Sequence, residues 1–360
     1  MRVLVDLLFF SGTRGGAETY VREVYSRLGD SDIELIAYAS SEFAATDTSW
    51  FPGRVIDSGI SGLNRLRWAR GELMEVARVA QREGADLIHS PANLGPRRSK
   101  VPVVLTLHDM VSFRHPEWVP TRAAGWFLRW MIRGAARNAR LIITDSEAAK
   151  FDIHDILRIP DDRIAVVVLA GGGATTSPGV ARARQPGLIF SPGNRMPHKG
   201  LNILIEALSL IPAARRPTLA LTASTPQDPL RAVAKRWGVN DSVQFNGWVT
   251  RIELDELYAA AALVVLPTMF EGFGLPVLEG MSHGAPVLCS DLPVLREVGG
   301  DAAAYVEAGS APALACAIDT LLQDPAQRER LAAAGQDRVA LYSWSSTAAV
   351  FDRELRRALG

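Results

Sequence analysis

A chain of 360 residues is longer than one hydrophobic core usually organises, so two domains are expected. It is 48% hydrophobic and 22% charged, enough apolar material for full cores. Its 39 Lys and Arg balance 39 Asp and Glu, and that neutrality argues against a dedicated nucleic-acid binder while leaving local basic patches open.

Met1-Arg2 followed by Val3 to Phe10 faintly mimics a signal peptide. Asp6 interrupts the run and no small-residue cleavage site follows, so a first strand is expected. No apolar run approaches the roughly 18 residues of a membrane span. Cys289 and Cys316 form no Cys-x-x-Cys and read as reduced core thiols of a cytoplasmic protein.

Strand-like and helix-like pieces then alternate. Strands are expected over Val3 to Phe9, Ile33 to Tyr38, Arg54 to Ile56, Asp86 to His89, Val101 to Leu107, Leu141 to Thr144 and Ile164 to Leu169. Helices are expected over Ala17 to Leu28, Leu63 to Arg82, Thr121 to Asn138 and Ser146 to Leu157, with Ser146 as an N-cap. Such alternation predicts a mostly parallel sheet covered on both faces.

Gly12-Thr-Arg-Gly-Gly-Ala-Glu18 opens the first helix, and Gly15 and Gly16 would let backbone approach a ligand closely. It is neither a Walker loop nor Gly-x-Gly-x-x-Gly, which counts against an ATPase and a dinucleotide enzyme; a tight packing turn is the plainer alternative. Asp30-Ser-Asp32 has the look of an Asp-x-Asp metal site, but it follows a helix and reads as a helix-ending turn. His108-Asp109 sits just past a strand, at a sheet mouth. His89, His115, His154, His198 and His283 show no metal-ligand spacing. Thr121 to Arg140 holds five arginines and no acid; Arg129, Arg133 and Arg137 share a helix face, with Trp126 and Trp130 on an adjoining one. A packed helix with a solvated, arginine-rich face is the favoured reading; peripheral contact of 121–140 with an anionic membrane is the other.

Gly171 to Gly187, rich in Gly, Pro, Ser and Thr, reads as a linker after a first domain of residues 1–170. Alternation restarts in a second domain, 188–344, with strands over Leu188 to Ser191, Thr218 to Thr222, Val243 to Phe245, Leu263 to Leu266, Val287 to Ser290 and Ala303 to Val306. Two such domains are expected to face each other across a cleft. A last helix is expected within Ser343 to Leu359.

Two stretches of the second domain carry chemistry. In Ser191-Pro-Gly-Asn-Arg-Met-Pro-His-Lys-Gly200, Arg195 and Lys199 stand at a strand-to-helix mouth and can hold the charge of a departing diphosphate in place of a metal. Read alone, they would be a solvated pair. In Phe270 to Ser290, a loop with two glycines leads into a helix opened by Pro276 and closed by Gly284, whose N-terminus favours a phosphate. Glu271 flanks this site in the loop, and Glu279 lies about one turn into the helix. Over a diphosphate, Glu279 would meet a ribose diol and Glu271 a polar group on the other side. A nucleotide-sugar has that layout.

Glu271-x7-Glu279, wrapped around Gly-Phe-Gly-Leu-Pro and followed by His-Gly-Ala-Pro-Val, resembles the signature of the family-4 retaining glycosyltransferases of the GT-B fold, two facing Rossmann-like domains with a cleft between. The Arg195 to Gly200 segment resembles that family's diphosphate site. The resemblance covers nearly the whole chain. It implies that helix 345–360 returns to the first domain, and that Gly15, Gly16, Phe273, Gly274 and Leu275 join Arg195, Lys199 and Glu279 around the donor. It implies that His108 and Glu271 orient the sugar, and that Trp248 and Val249, in Asn246-Gly-Trp-Val249, lie where the base is read. His108 to Glu117 is similar to bacterial polysaccharide mannosyl- and rhamnosyltransferases.

The implied activity is metal-independent, retaining transfer of a mannose-type hexose from a nucleotide diphosphate sugar, a GDP-sugar by expectation, to a glycan, lipid-linked or small-molecule hydroxyl. No separate cofactor and no nucleic acid is expected. The place of work would be the cytoplasm or, through 121–140, the inner face of the plasma membrane. A GT-B-fold epimerase or phosphorylase, or a non-catalytic nucleotide-sugar-binding partner, stays open as an alternative. Leu169-Ala-Gly-Gly-Gly and Thr222-Ala-Ser-Thr depart from the family pattern and bear on the base and acceptor contacts.

Overall fold

The computed structural model describes residues 1–12, 15–29, 31–172 and 184–360. The chain divides into two units, Met1–Leu169 with Ser343–Gly360, and Ala170–Tyr342. In the first, β1 (Arg2–Leu7), β2 (Glu34–Ala39), β3 (Gly53–Asp57), β4 (Leu87–Ser90), β5 (Val103–Thr106), β6 (Leu141–Thr144) and β7 (Ile164–Val166) form a 7-stranded sheet of order β3-β2-β1-β4-β5-β6-β7. In the second, β8 (Gln185–Ser191), β9 (Thr218–Leu221), β10 (Val243–Phe245), β11 (Ala261–Leu266), β12 (Val287–Ser290) and β13 (Ala304–Val306) form a 6-stranded sheet of order β10-β9-β8-β11-β12-β13. Every strand pair is parallel.

Parallel strands need helical crossovers, which cover both sheet faces, and so the central strands are buried and mainly apolar, with Asp6, His89, Ser90 and Thr106 as buried polar exceptions in the first sheet. In β11 every residue from Ala261 to Leu266 is buried. Each strand order reverses once, between β1 and β4 and between β8 and β11. The crevice at the carboxyl ends of such a pair is where open α/β sheets bind ligands.

The last helix, Trp344–Arg357, belongs to the first unit. Its Phe351 is fully buried against Tyr20, Tyr25 and His89, and Thr347 Oγ1 donates to the Val168 carbonyl at 2.7 Å. Asp32 pairs with Arg356 of this helix, so it serves the fold rather than a metal; Asp30 lies outside the described residues.

Several expected boundaries shift. β1 ends at Leu7, because Leu8 N–H turns back to Asp6 Oδ1 at 3.3 Å and Phe10 N–H to the Leu7 carbonyl at 3.2 Å. Leu8 to Phe10 are buried without pairing, and their apolar composition records only the burial. β8 starts at Gln185, inside the expected linker, where it pairs with Ala261; residues 173–183 of that linker lie outside the described residues. The helix expected over Leu63 to Arg82 divides into Arg65–Met74 and Val76–Arg82 at Glu75, whose carboxylate accepts from Tyr38 OH at 2.8 Å. Cys289 is a buried thiol whose pKa burial pushes up to about 12, but Cys316 is exposed rather than in the core.

Beneath the carboxyl edge of the first sheet two buried acids meet. Asp6 accepts from Ser90 Oγ at 3.1 Å, Glu72 accepts from Trp68 Nε1 at 2.7 Å, and the two buried carboxyls interact, which favours a proton held between them. Burial raises both pKa values, and for Glu72 the Asp6 charge adds to it. The folded state therefore holds protons that the unfolded chain releases. The pair's stability is complete below the ordinary carboxylate range and is lost as pH rises through the raised values. Glu72→Gln keeps the hydrogen bonds without the titration. Thermal melts from pH 5 to 8 should fall less steeply in this variant, leaving it about 3 °C ahead of the parent at the upper end. Parallel profiles would refute the shared proton.

Candidate active site

The loops after β8 and β11 are stitched together at the reversal of the second sheet. Met269 N–H and Thr268 Oγ1 donate to the His198 carbonyl at 2.7 and 2.9 Å. Gly200, at φ +64°, passes so close that a Cβ on it would lie 2.0 Å from the Pro267 carbonyl oxygen. This seam brings Lys199 Nζ to 2.6 Å from Glu271 Oε1, although 72 residues separate them. Both are only partly exposed, 20% and 16%.

Arg195 is held by the loop after β9. Its Nε donates to Asp228 Oδ2 at 2.8 Å, Nη2 to Ser224 Oγ at 2.6 Å and Nη1 to the Gly193 carbonyl at 3.2 Å. Asp228 also caps the Pro229–Arg236 helix through Leu230 N–H at 2.9 Å. Both expected cations thus already have carboxylate partners, which fix their heads and lower their net charge toward a ligand.

The Leu275–Ser282 helix starts from Gly274 at φ +102°, where a Cβ would meet Leu295 Cδ2 at 2.6 Å. Pro276 has no N–H and Val277 N–H bonds the Gly274 carbonyl at 2.9 Å, so of the first three residues at most the half-buried Leu275 offers an amide to an anion. The Phe273 ring is buried, edge-to-face with Tyr342 at 6.5 Å, so any contact it makes with a ligand falls to its backbone.

Glu279 lies on this helix and takes Arg251 Nη1 at 2.9 Å on one oxygen and Tyr258 OH at 2.7 Å on the other. Burial, then the Glu279 charge, raises the Tyr258 pKa and keeps it a donor. Asp255 forms an ion pair with Arg251, Oδ1 to Nε at 2.9 Å, and His283 stacks on Tyr258 at 5.4 Å. Each Glu279 oxygen keeps a second lone pair for a ribose hydroxyl. Beside it, loop 246–249 is tied to the loop after β9 through Ser224 N–H to the Asn246 carbonyl at 3.0 Å and Ala223 N–H to the Gly247 carbonyl at 2.9 Å. That leaves Trp248 63% exposed and Val249 half-buried.

In the first unit, Gly15 and Gly16 begin the Gly15–Tyr25 helix rather than standing in the loop, and Thr13 and Arg14 lie outside the described residues. Glu18 Oε1 clamps the loop by accepting Ser11 N–H at 2.8 Å and Gly12 N–H at 3.0 Å. His108 is fixed on every side. Its backbone N–H meets Asn93 Oδ1 at 2.7 Å, its Nδ1 meets Asp145 Oδ2 at 2.6 Å, and its Nε2 meets the Pro91 carbonyl at 2.8 Å. A carboxylate and a carbonyl can only accept, so with both bonds made both ring nitrogens carry protons and the ring is an imidazolium. Burial alone lowers its pKa, but the Asp145 charge and the bonds to Asp145 and Pro91 outweigh this and the net shift is upward. His89 is the counterpart, a neutral core histidine whose pKa burial, with the His108 charge, pushes down to about 3.

The sequence reading missed Asp228, Arg251, Tyr258 and Asp145. Asp145 comes directly after β6 and before the Ser146 cap, and Asp228 is itself the cap before Pro229, a signal that was available. Arg251 and Tyr258 gave none beyond ordinary helix composition.

Two Rossmann-like units in tandem, with cation–carboxylate pairs at the reversal of the second sheet and the last helix returned to the first unit, define the GT-B class of glycosyltransferases. Residues 14–168 match the family described as Glycosyltransferase Family 4, and residues 176–338 match Glycosyl transferases group 1. The chain is 31% identical over 281 residues to the O-antigen chain mannosyltransferase B of Escherichia coli, covering 74% of this chain and 73% of the relative. It belongs to this glycosyltransferase family. Among solved structures, sucrose-phosphate synthase of Thermosynechococcus elongatus superposes with a TM-score of 0.79 at 18% identity, covering 99% of this chain and 98% of that one. Anabaena Alr3699/HepE in complex with UDP and glucose superposes with a TM-score of 0.76 at 23% identity, covering 99% and 100%. Among the described residues, no helix is long and apolar enough to cross a membrane.

Proposed function

We propose that the protein transfers a mannose-type hexose from a nucleotide diphosphate sugar to a hydroxyl of a glycan or lipid-linked acceptor, with retention of anomeric configuration and without a metal ion. The observation that carries this reading is the Lys199–Glu271 pair, 2.6 Å apart at the β8/β11 reversal with Arg195 on the same loop. Arg195, Lys199 and the helix start at Gly274-Leu275 take the donor diphosphate, Glu279 takes the ribose, and Glu271 and His108 orient the sugar. Gly15 and Gly16 are assigned to donor binding as well, and Trp248 and Val249 to the base.

The acceptor oxygen attacks the anomeric carbon from the face that the leaving group occupies. The bond from that carbon to the phosphate oxygen breaks and its electron pair goes to the diphosphate. The acceptor proton passes to the departing phosphate oxygen. Two fixed cations stabilise the charge that develops there, the role that a divalent ion would otherwise fill.

The mannosyltransferase relative favours GDP-mannose as donor, whereas the UDP and glucose held by the Anabaena structure favour a UDP-hexose as the second reading. Thermal-shift titration separates them. GDP-mannose and GDP are expected to raise the melting temperature at micromolar concentration while UDP-glucose and UDP do not. A response to UDP alone would replace the donor, and a response to no nucleotide would remove the proposal.

A further inference from the structure

On the first unit, helices Arg65–Met74 and Arg122–Asn138 are neighbours, since Ala69 of one shares a buried cluster with Met131, Ile132 and Ala135 of the other. Arg65–Met74 follows β3, and Arg122–Asn138 leads directly into the start of β6, so each helix starts near the carboxyl edge of the sheet, the edge that carries His108. Near that edge large apolar side chains stand exposed among the cations Arg65, Arg67 and Arg122. Leu63 is 65% exposed, Leu66 82% and Trp126 64%, and Phe127 stacks on Trp130 beside them. Farther along the helices the outward side chains are cations, Arg70, Arg133 and Arg137, and Arg97 lies over the Trp130 ring at 3.5 Å. A groove of about 370 Å³ between residues 73–81, which span the end of the first of these helices and the Val76–Arg82 helix, and residues 98–100 is lined by Met74, Arg78, Arg98 and Lys100 and by no carboxylate. Neither helix shows an acid to solvent, because Glu72 is buried and the second helix has none. The patch stops at the Glu147–Leu157 helix, where Asp152 and Asp155 bind Arg114.

A packed helix with a merely solvated arginine face does not fit exposed Trp126, and Arg129 leaves that face to donate to the Ser112 carbonyl at 3.1 Å. A polyanion such as RNA would use the cations and leave Leu63, Leu66 and Trp126 in water. A bilayer of anionic lipid uses both: apolar and aromatic side chains enter the boundary below the headgroups, and the guanidinium and ammonium groups meet the phosphates.

We propose that this face docks the protein on an anionic bilayer, with Leu66, Trp126 and Phe127 set into the interface and a lipid phosphate in the Arg78–Arg98–Lys100 groove. Docked so, the carboxyl edge with His108 is held beside the lipid surface. That consequence rests on the lipid-linked acceptor of the proposed function; the docking itself does not.

The test is co-sedimentation of the full chain with vesicles of equal parts phosphatidylglycerol and phosphatidylcholine, and with phosphatidylcholine alone. Binding is expected to the mixed vesicles only. Leu66→Ser with Trp126→Ser, and separately Arg98→Ala with Lys100→Ala, should each lower the partition coefficient about tenfold, with the nucleotide thermal shift unchanged. Equal binding to both vesicles, no binding at low salt, or variants that bind like the parent would overturn docking. So would light scattering that shows a lipid-free dimer lost in Leu66→Ser/Trp126→Ser, which assigns the face to a second copy. Donor binding is read separately, so failure on vesicles leaves the transferase reading intact.

Discussion

Lys199→Met is expected to lower kcat about a hundred- to a thousandfold, with nucleotide binding weakened far less and the melting temperature nearly unchanged. The side chain keeps its length and loses only its charge. That charge matters most when the bond to the sugar breaks and the diphosphate gains negative charge, so the loss falls on turnover. One confounding effect is built into the geometry. Removing the ammonium leaves the Glu271 carboxylate, 2.6 Å away in the parent, without its partner and facing a dianion. The double variant Lys199→Met/Glu271→Gln removes that repulsion. If the cation itself does the work, the double variant stays as slow as the single one. Recovery to near parental kcat would reduce Lys199 to a neutraliser of Glu271.

Gly200→Ala should be the most destabilising small substitution at the site, at about 4 kcal/mol, or roughly 10 °C in the melting of the second unit. Two costs add. An L-residue at φ +64° is strained by about 1–2 kcal/mol. The methyl would also stand 2.0 Å from the Pro267 carbonyl oxygen, and backbone on both sides must move to admit it. Gly238→Ala separates the two, because Gly238 has a similar φ of +65° with no atom within 4 Å of the added Cβ. It should cost about 1 kcal/mol. Equal losses in the two variants would show that backbone conformation, not the seam between the β8 and β11 loops, is what Gly200 provides.

What the sequence made legible was local. Alternating apolar runs marked each of the described strands, because covered parallel strands are apolar on both faces and the runs are short. Arg195, Lys199, Glu271 and Glu279 stood out because glycine and proline punctuate the loops around them. The partners were hidden, because each pairing closes over a distance that no spacing encodes. Arg195 meets Asp228 across 33 residues, Arg251 meets Glu279 across 28, and His108 meets Asp145 across 37. Glu72 shows the same limit. In an arginine-rich helix it looks like a solvent-facing acid, yet it lies four residues from both Trp68 and Val76, on the apolar stripe, and that stripe carries it inward to Asp6.

These hidden partners change the electrostatic picture of the site. Composition suggested two bare cations at the sheet mouth, whereas each is already matched to a carboxylate. A donor diphosphate must then share Arg195 with Asp228 and Lys199 with Glu271, and such prearranged pairs orient the cations before the substrate arrives.

The most direct measurement follows the slow hydrolysis of GDP-α-mannose by the protein in excess EDTA, reading the first-formed sugar anomer by proton NMR before it equilibrates. The account predicts that the α anomer appears first, at a rate the chelator does not change. Release of the β anomer first, or hydrolysis that stops in EDTA and returns with a divalent ion, would contradict it.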